Sequence, residues 1–130
     1  MKTKKQFSEG ILSTIHQDRI LGIRAGSDGA HRVIGIWVVV VDGRVFVRSY
    51  SMKPNSWWRT LLKDPQGEIF VARRKRGIKV RAVQTRSEKI KDKVSAAYKE
   101  KYNTPGSVGY VEDMSRSPSR DTTTELVPLK

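Results

Sequence analysis

The chain reads as a mainly β protein of the α+β class, a small antiparallel barrel with flanking helices, and three observations predict it. The first is a hydrophobic hairpin. An almost wholly apolar run, Ile34 to Val41, meets an alternating run, Arg44 to Tyr50, across Asp42-Gly43. That dipeptide readily takes the left-handed backbone angles of a two-residue turn. The second is another pair of strand-like runs, Glu68 to Ala72 and Ile78 to Gln84, joined by a basic bend and Gly77. The third is a pair of serine-capped helical patterns, one near each end of the chain.

Taken in order, Phe7 to about Arg19 predicts a short helix. Ser8 can accept an orphan amide hydrogen bond at its start, and Ile11, Leu12 and Ile15 form one apolar face. Arg19 to Ala25 is expected as a strand, and Gly26-Ser27-Asp28-Gly29 as a loop. Ile34 to Val41 is apolar on both faces, which requires cover on both sides. A barrel that also packs on a helix or a second subunit supplies it. In the return strand Val45, Val47 and Ser49 share one face, and Arg44, Phe46, Arg48 and Tyr50 the other. Ser56 caps a short helix to about Lys63, ended by Asp64-Pro65-Gln66-Gly67. Ser87 to about Tyr102 is the strongest helical pattern, with Ile90, Val94, Ala97, Tyr98 and Lys101 on one face. Asn103-Thr104-Pro105-Gly106 is expected to stop it. Asp113 to Asp121 reads as a loop, and Thr122 to Leu126 as a final strand closing the sheet.

At 130 residues the expectation is one domain over 1–130, with residues 1–6 and 113–121 as its mobile stretches. The chain has no cysteine, which excludes disulfides, thiolate metal sites and a cysteine nucleophile. No apolar run follows the basic N-terminus as a signal peptide would require, and none reaches membrane-spanning length. The expected location is the cytoplasm. A formal charge of +13 draws polyanions or phosphorylated small molecules.

Several chemistries lack support. His16 and His31 are the only histidines, neither has a carboxylate cluster around it, and no metal site is expected. There is no nucleophile elbow, no paired-carboxylate pattern, no dinucleotide fingerprint and no P-loop. Two positive patterns remain. Arg73-Arg74-Lys75-Arg76, with Lys79 and Arg81, reads either as a solvated bend or as a surface contacting nucleic-acid phosphates. Arg48, Ser49 and Tyr50 lead into Lys53 and then Ser56-Trp57-Trp58-Arg59. That stretch combines phosphate donors with flat apolar walls, the mixture a nucleotide-like cofactor needs.

Four stretches together resemble an uncharacterised bacterial family. They are Val38-Val39-Val40-Val41-Asp42-Gly43-Arg44-Val45-Phe46-Val47-Arg48-Ser49-Tyr50, Trp57-Trp58-Arg59, Ala96-Ala97-Tyr98-Lys99-Glu100-Lys101-Tyr102, and Thr122-Thr123-Thr124-Glu125-Leu126-Val127-Pro128. That family is similar to the FMN-binding split β-barrels, which include pyridoxamine-phosphate oxidases and deazaflavin-dependent nitroreductases. Trp57 to Pro65 resembles the Trp-Tyr-x-Asn-Leu-x-x-x-Pro stretch of the deazaflavin enzymes. Trp58 stands where they have tyrosine and Thr60 where they have asparagine, and Ser51 to Asn55 lacks their glycines.

The resemblance implies a split barrel, commonly a homodimer, with FMN or a deazaflavin coenzyme near the subunit interface. The matching cofactor positions are Arg48, Ser49, Tyr50, Lys53, Ser56 and Trp58. In this reading Arg48 and Lys53 neutralise phosphate, Ser49 and Ser56 donate hydrogen bonds, and Trp58 walls the ring. The expected function is flavin-type cofactor binding, with oxidoreductase activity on a small substrate as its extension. The alternative is a basic nucleic-acid-binding or interaction module using Arg73, Arg74, Lys75, Arg76, Lys79 and Arg81.

Overall fold

The computed structural model describes residues 6–29, 31–71 and 76–129. Helix α1 (Glu9–Gln17) begins at Ser8, whose Oγ accepts the Ile11 amide at 3.3 Å. Strand β1 (Leu21–Ala25) follows, then β2 (Ile34–Ile36), β3 (Val39–Val41) and β4 (Arg44–Val47). Next come α2 (Trp57–Lys63), β5 (Gln66–Phe70), β6 (Ile78–Gln84) and α3 (Glu88–Lys101). The chain closes with α4 (Pro105–Met114), a 3-10 turn (Ser119–Thr122) and β7 (Thr124–Pro128).

All seven strands form one antiparallel sheet, in the order β2-β1-β5-β6-β7-β4-β3. The two edge strands, β2 and β3, are consecutive in sequence and separated only by Trp37 and Val38. So short a link between opposite edges requires the sheet to curl until those edges meet. The result is the split barrel that the sequence predicts. The hairpin turn is as expected: Asp42 has φ 54° and Gly43 φ 73°, and Val41 pairs with Arg44.

The single strand expected over Ile34 to Val41 is two strands. Its break has a long-range cause. The Val38 amide donates to Tyr102 Oη at 2.9 Å, and the Val38 carbonyl accepts from Lys101 Nζ at 2.8 Å and Tyr102 Oη at 3.1 Å. Both backbone groups of Val38 are satisfied by side chains at the end of α3, so the chain leaves the ladder there without orphaned polar groups. The return strand is also shorter than expected. After Val47 the Ser49 amide turns to Thr122 Oγ1 at 2.8 Å.

Two cores result. The barrel interior packs Leu21, Ile23, Val38, Val45, Val47, Ile69, Val80 and Leu126, closed by Phe7 just ahead of α1, Ile15 on α1 and Leu61 on α2. On the other side of the same hairpin, Val39, Val41 and Phe46 pack against Val94, Tyr98 and Tyr102 of the α3 region and Val111 and Met114 of α4. The two-sided cover demanded by the apolar run is therefore supplied within the chain. Each fully buried valine or phenylalanine in this hairpin contributes roughly 1.5–3 kcal/mol of transfer free energy.

Helix α4 corrects another expectation. Pro105 and Gly106 do not merely stop α3; Thr104 and Pro105 open a new helix, with proline in its first turn. The end of that helix and the 3-10 turn take up residues 113, 114 and 119–121 of the stretch read as loop.

Candidate functional site: an aromatic cleft beside the crossover

The β2–β3 crossover forms one wall of an open cleft of about 460 Å³. Four separate segments complete it: Ile20 ahead of β1, the Arg48–Ser51 exit of β4, Trp57 at the start of α2, and Tyr110 with Met114 on α4. The lining is overwhelmingly apolar and aromatic. Ile20, Tyr50 and Tyr110 keep 55%, 54% and 52% of their surface exposed, so the cleft leaves large apolar side chains open to solvent.

Its aromatic wall is ordered from behind. Trp37 stacks on Tyr102 with ring centroids 4.2 Å apart and planes within 8°. Tyr110 meets Trp37 edge-on at 6.3 Å and Tyr50 at 5.4 Å. Such offset and edge geometries suit the ring quadrupoles. The Tyr50 hydroxyl donates to Asp113 Oδ2 at 3.2 Å, tying the exit of β4 to α4 and raising the phenol's proton affinity.

Arg48 is the charged group in the cleft wall, and it is 2% exposed. Its Nε donates to Thr123 Oγ1 at 2.8 Å. Nη1 donates to Ser95 Oγ at 2.9 Å and to the Met114 carbonyl at 2.8 Å, and Nη2 to the Lys91 carbonyl at 2.8 Å. It thereby ties β4, α3, α4 and the approach to β7 together. All four acceptors are neutral, and burial lowers its pKa to about 10. The anchor on the β7 side is a buried threonine tract. Thr122 Oγ1 receives the Ser49 amide and Thr123 Oγ1 receives Arg48, while both hydroxyls donate to carbonyls in the 3-10 turn at 2.6 Å.

The expected cofactor residues divide. Arg48 and Tyr50 line the cleft. Ser49 is fully buried, and its hydroxyl donates to the Ser51 carbonyl at 2.6 Å. Lys53 is exposed on the loop between Ser51 and Trp57, two residues that do line the cleft. Ser56 caps α2 by accepting the Arg59 amide, which leaves its hydroxyl proton available. Trp57 rather than Trp58 forms the wall; Trp58 turns away, and its Nε1 donates to Gln84 Oε1 at 3.0 Å.

Of the basic hairpin, Arg73, Arg74 and Lys75 lie outside the described residues. Arg76, Lys79 and Arg81 are exposed, with Lys79 paired in register with Glu68 and Arg81 with Gln66 and Val127. None of the three lines the aromatic cleft. Among the described residues, no helix is long and apolar enough to cross a membrane.

With this geometry in view, the family is plain. Residues 12–126 match the model of a family described as an uncharacterized protein conserved in bacteria (DUF2255), and the chain belongs to it. No curated protein matches the sequence. Among solved structures, the fold is similar to the heme storage protein HutZ of Vibrio cholerae, at TM-score 0.66 and 15% identity over 96% of this chain and 92% of that one. It is similar to a candidate pyridoxamine 5′-phosphate oxidase of Listeria innocua, at 0.63 and 14% over 94% and 93%. A third likeness is to an FAD-binding protein of Mesorhizobium loti, at 0.56 and 10% over 99% and 95%. At these identities the shared property is the split-barrel fold.

Proposed function

We propose that this family member binds a planar, flavin-type cofactor, FMN or a deazaflavin coenzyme, with its ring in the aromatic cleft and a second copy of the chain covering the open side. The observation that carries the proposal is the cleft itself. About 460 Å³ of space lies beside Trp37, Tyr50, Trp57 and Tyr110 on a split-barrel framework, a size and lining typical of small-molecule sites. Three structural neighbours that are named for heme, flavin or phosphate-ester chemistry support the reading at the level of fold.

The residues present fit such a group in two parts. Trp37, Trp57 and Tyr110 would hold the ring and keep water from it. The phosphate would fall to the loop between the lining residues Ser51 and Trp57, which offers the exposed Lys53 as a cation and Ser56 as a hydroxyl donor. Arg48 contributes less there than its charge suggests, because four of its N–H groups are already committed. A bound flavin would supply hydride or electron transfer to a small substrate; the protein's part is to orient the ring and exclude water.

The visible spectrum of the purified protein, followed by titration with FMN and with the deazaflavin coenzyme, tests this. Expected are saturable quenching of Trp37 and Trp57 fluorescence and a stabilisation of about 2.7 kcal/mol when ligand reaches a hundredfold excess over Kd. A colourless protein whose fluorescence and melting temperature ignore both compounds overturns the proposal.

A further inference from the structure

We infer that the aromatic cleft is selective for anionic planar ligands, and that Arg48 reads a single negatively charged atom on or beside the ring. The inference rests on the cleft being the binding site, and it does not depend on that ligand being a flavin.

Arg48 is a cation removed from water without a carboxylate to answer it. Its four hydrogen bonds go to two hydroxyls and two backbone carbonyls. These fix the guanidinium plane but cannot neutralise it. The acids that act on it are already engaged elsewhere and lie in solvent: Asp92 is 76% exposed and bonded to Arg120 at 2.9 Å, and Asp121 is 61% exposed and faces Lys91 at 3.9 Å. Water screens their attraction for Arg48 strongly. Buried charges are ordinarily paired, because isolation from water is costly. Here the charge belongs to a residue of the cleft wall, and its guanidinium is bonded to the carbonyl of Met114, a second wall residue.

The hydrogen-bond inventory narrows the ligand. A guanidinium has five N–H groups. Four are used, and the second N–H on Nη2 has no acceptor among the described residues. One donor cannot form the bidentate fork that arginine offers a phosphate or carboxylate. It can meet one anionic oxygen or nitrogen at the edge of a ring stacked among the aromatics. This separates the work of the two basic residues expected to share a phosphate. Lys53 would serve the ligand's tail from its loop, and Arg48 its ring.

A matched pair of small probes tests the inference: naphthalene-2-carboxylate and naphthalene-2-carboxamide, equal in shape and different in charge. Binding is followed by quenching of Trp37 and Trp57 fluorescence in about 0.5 M salt, where the general field of a +13 protein is screened but a buried pair is not. The expected preference for the carboxylate is roughly ten- to hundredfold, the span of a desolvated charge-assisted hydrogen bond. Lys53→Ala should retain that preference, Arg48→Lys should keep part of it, and Arg48→Gln should abolish it. Should Arg48→Gln fail to fold, the unaltered protein and Lys53→Ala still decide. Equal affinities, no binding of the carboxylate, or a preference lost in Lys53→Ala overturns the inference. A carboxylate preference in a protein that ignores both FMN and deazaflavin would sink the flavin proposal alone.

Discussion

Arg44 and Arg48 stand at opposite ends of one short segment and both reach toward β7, yet the protein treats their charges in opposite ways. Arg44, beside the hairpin turn, meets Glu125 with two hydrogen bonds, Nη2 to Oε1 at 2.8 Å and Nε to Oε2 at 3.1 Å. That bond holds its proton more firmly than usual. Arg48, at the exit of the same strand, meets Thr123 two residues earlier in β7's approach, and finds only neutral oxygens. Each guanidinium lies over an aromatic ring, Phe46 at 5.2 Å and Tyr98 at 5.8 Å, so cation–π contact does not separate them. What separates them is the counter-charge. Arg44 completes its balance within the fold and belongs to the framework. Arg48 leaves its balance open at a cleft, which is where a ligand can complete it.

The largest expected effect lies at the balanced end. Arg44→Met takes away the guanidinium that answers the Glu125 carboxylate, which is 4% exposed. Breaking such a pair from one side should cost about 3 kcal/mol, read from the denaturant midpoint. Arg44→Met combined with Glu125→Leu should recover most of that loss, because an apolar pair of similar volume removes the buried carboxylate together with its guanidinium. A double variant no more stable than the single one would mean that Arg44 acts through something other than Glu125.

At the open end the expected effect is smaller. Arg48→Met gives up four hydrogen bonds but also relieves an uncompensated buried cation. The balance should be a loss of about 1–2 kcal/mol in the protein without ligand, again from denaturant midpoints. A cost equal to that of Arg44→Met would erase the distinction and make Arg48 a framework residue like its neighbour.

The two ends were not equally legible in the sequence. The hairpin turn, the serine caps of α1, α2 and α3, and the strand β7 all follow from signals a few residues long, and the structure carries each of them. The break at Trp37-Val38 does not, because its cause is Tyr102 and Lys101, brought back by the fold. Helix α4 is hidden by Pro105 and Gly106, which read locally as punctuation. Of the site, Arg48 and Tyr50 could be picked out from their place at a strand end. Trp57 and Trp58 could not be told apart, since the choice depends on which one finds Gln84 across the sheet. Ile20, Ile34 and Tyr110 come from segments with no common local pattern and share a wall only after folding. Thr122 and Thr123, which fix Ser49 and Arg48, carry only strand propensity as a local signal, whereas their hydroxyls matter as much as their branching.

The smallest effect concerns a third cation near the cleft, and it asks whether Arg48's situation is a local rule. Lys101 Nζ is likewise held by carbonyls, Ile15 at 2.9 Å and Val38 at 2.8 Å, and lies 5.4 Å from the Tyr102 ring that backs Trp37. Burial lowers its pKa to about 8, against the pull of Asp18 and with a contribution from Arg19. The consequence for stability has a definite sign. Below about pH 8 the lysine is charged in both states, and the full penalty of burying the charge is present. Between that value and about 10.4, its pKa in an unfolded chain, the unfolded state holds the extra proton, so stability from this group rises with pH. The stability of the wild-type protein relative to Lys101→Met should therefore increase on going from pH 7 to pH 10, measured by denaturant midpoints at unit steps. A difference that falls over that range would show that the two carbonyls favour the charged amine more than burial opposes it. Neutral oxygens would then suffice to hold a cation in this part of the fold, and Arg48 would no longer need an anion from the cleft.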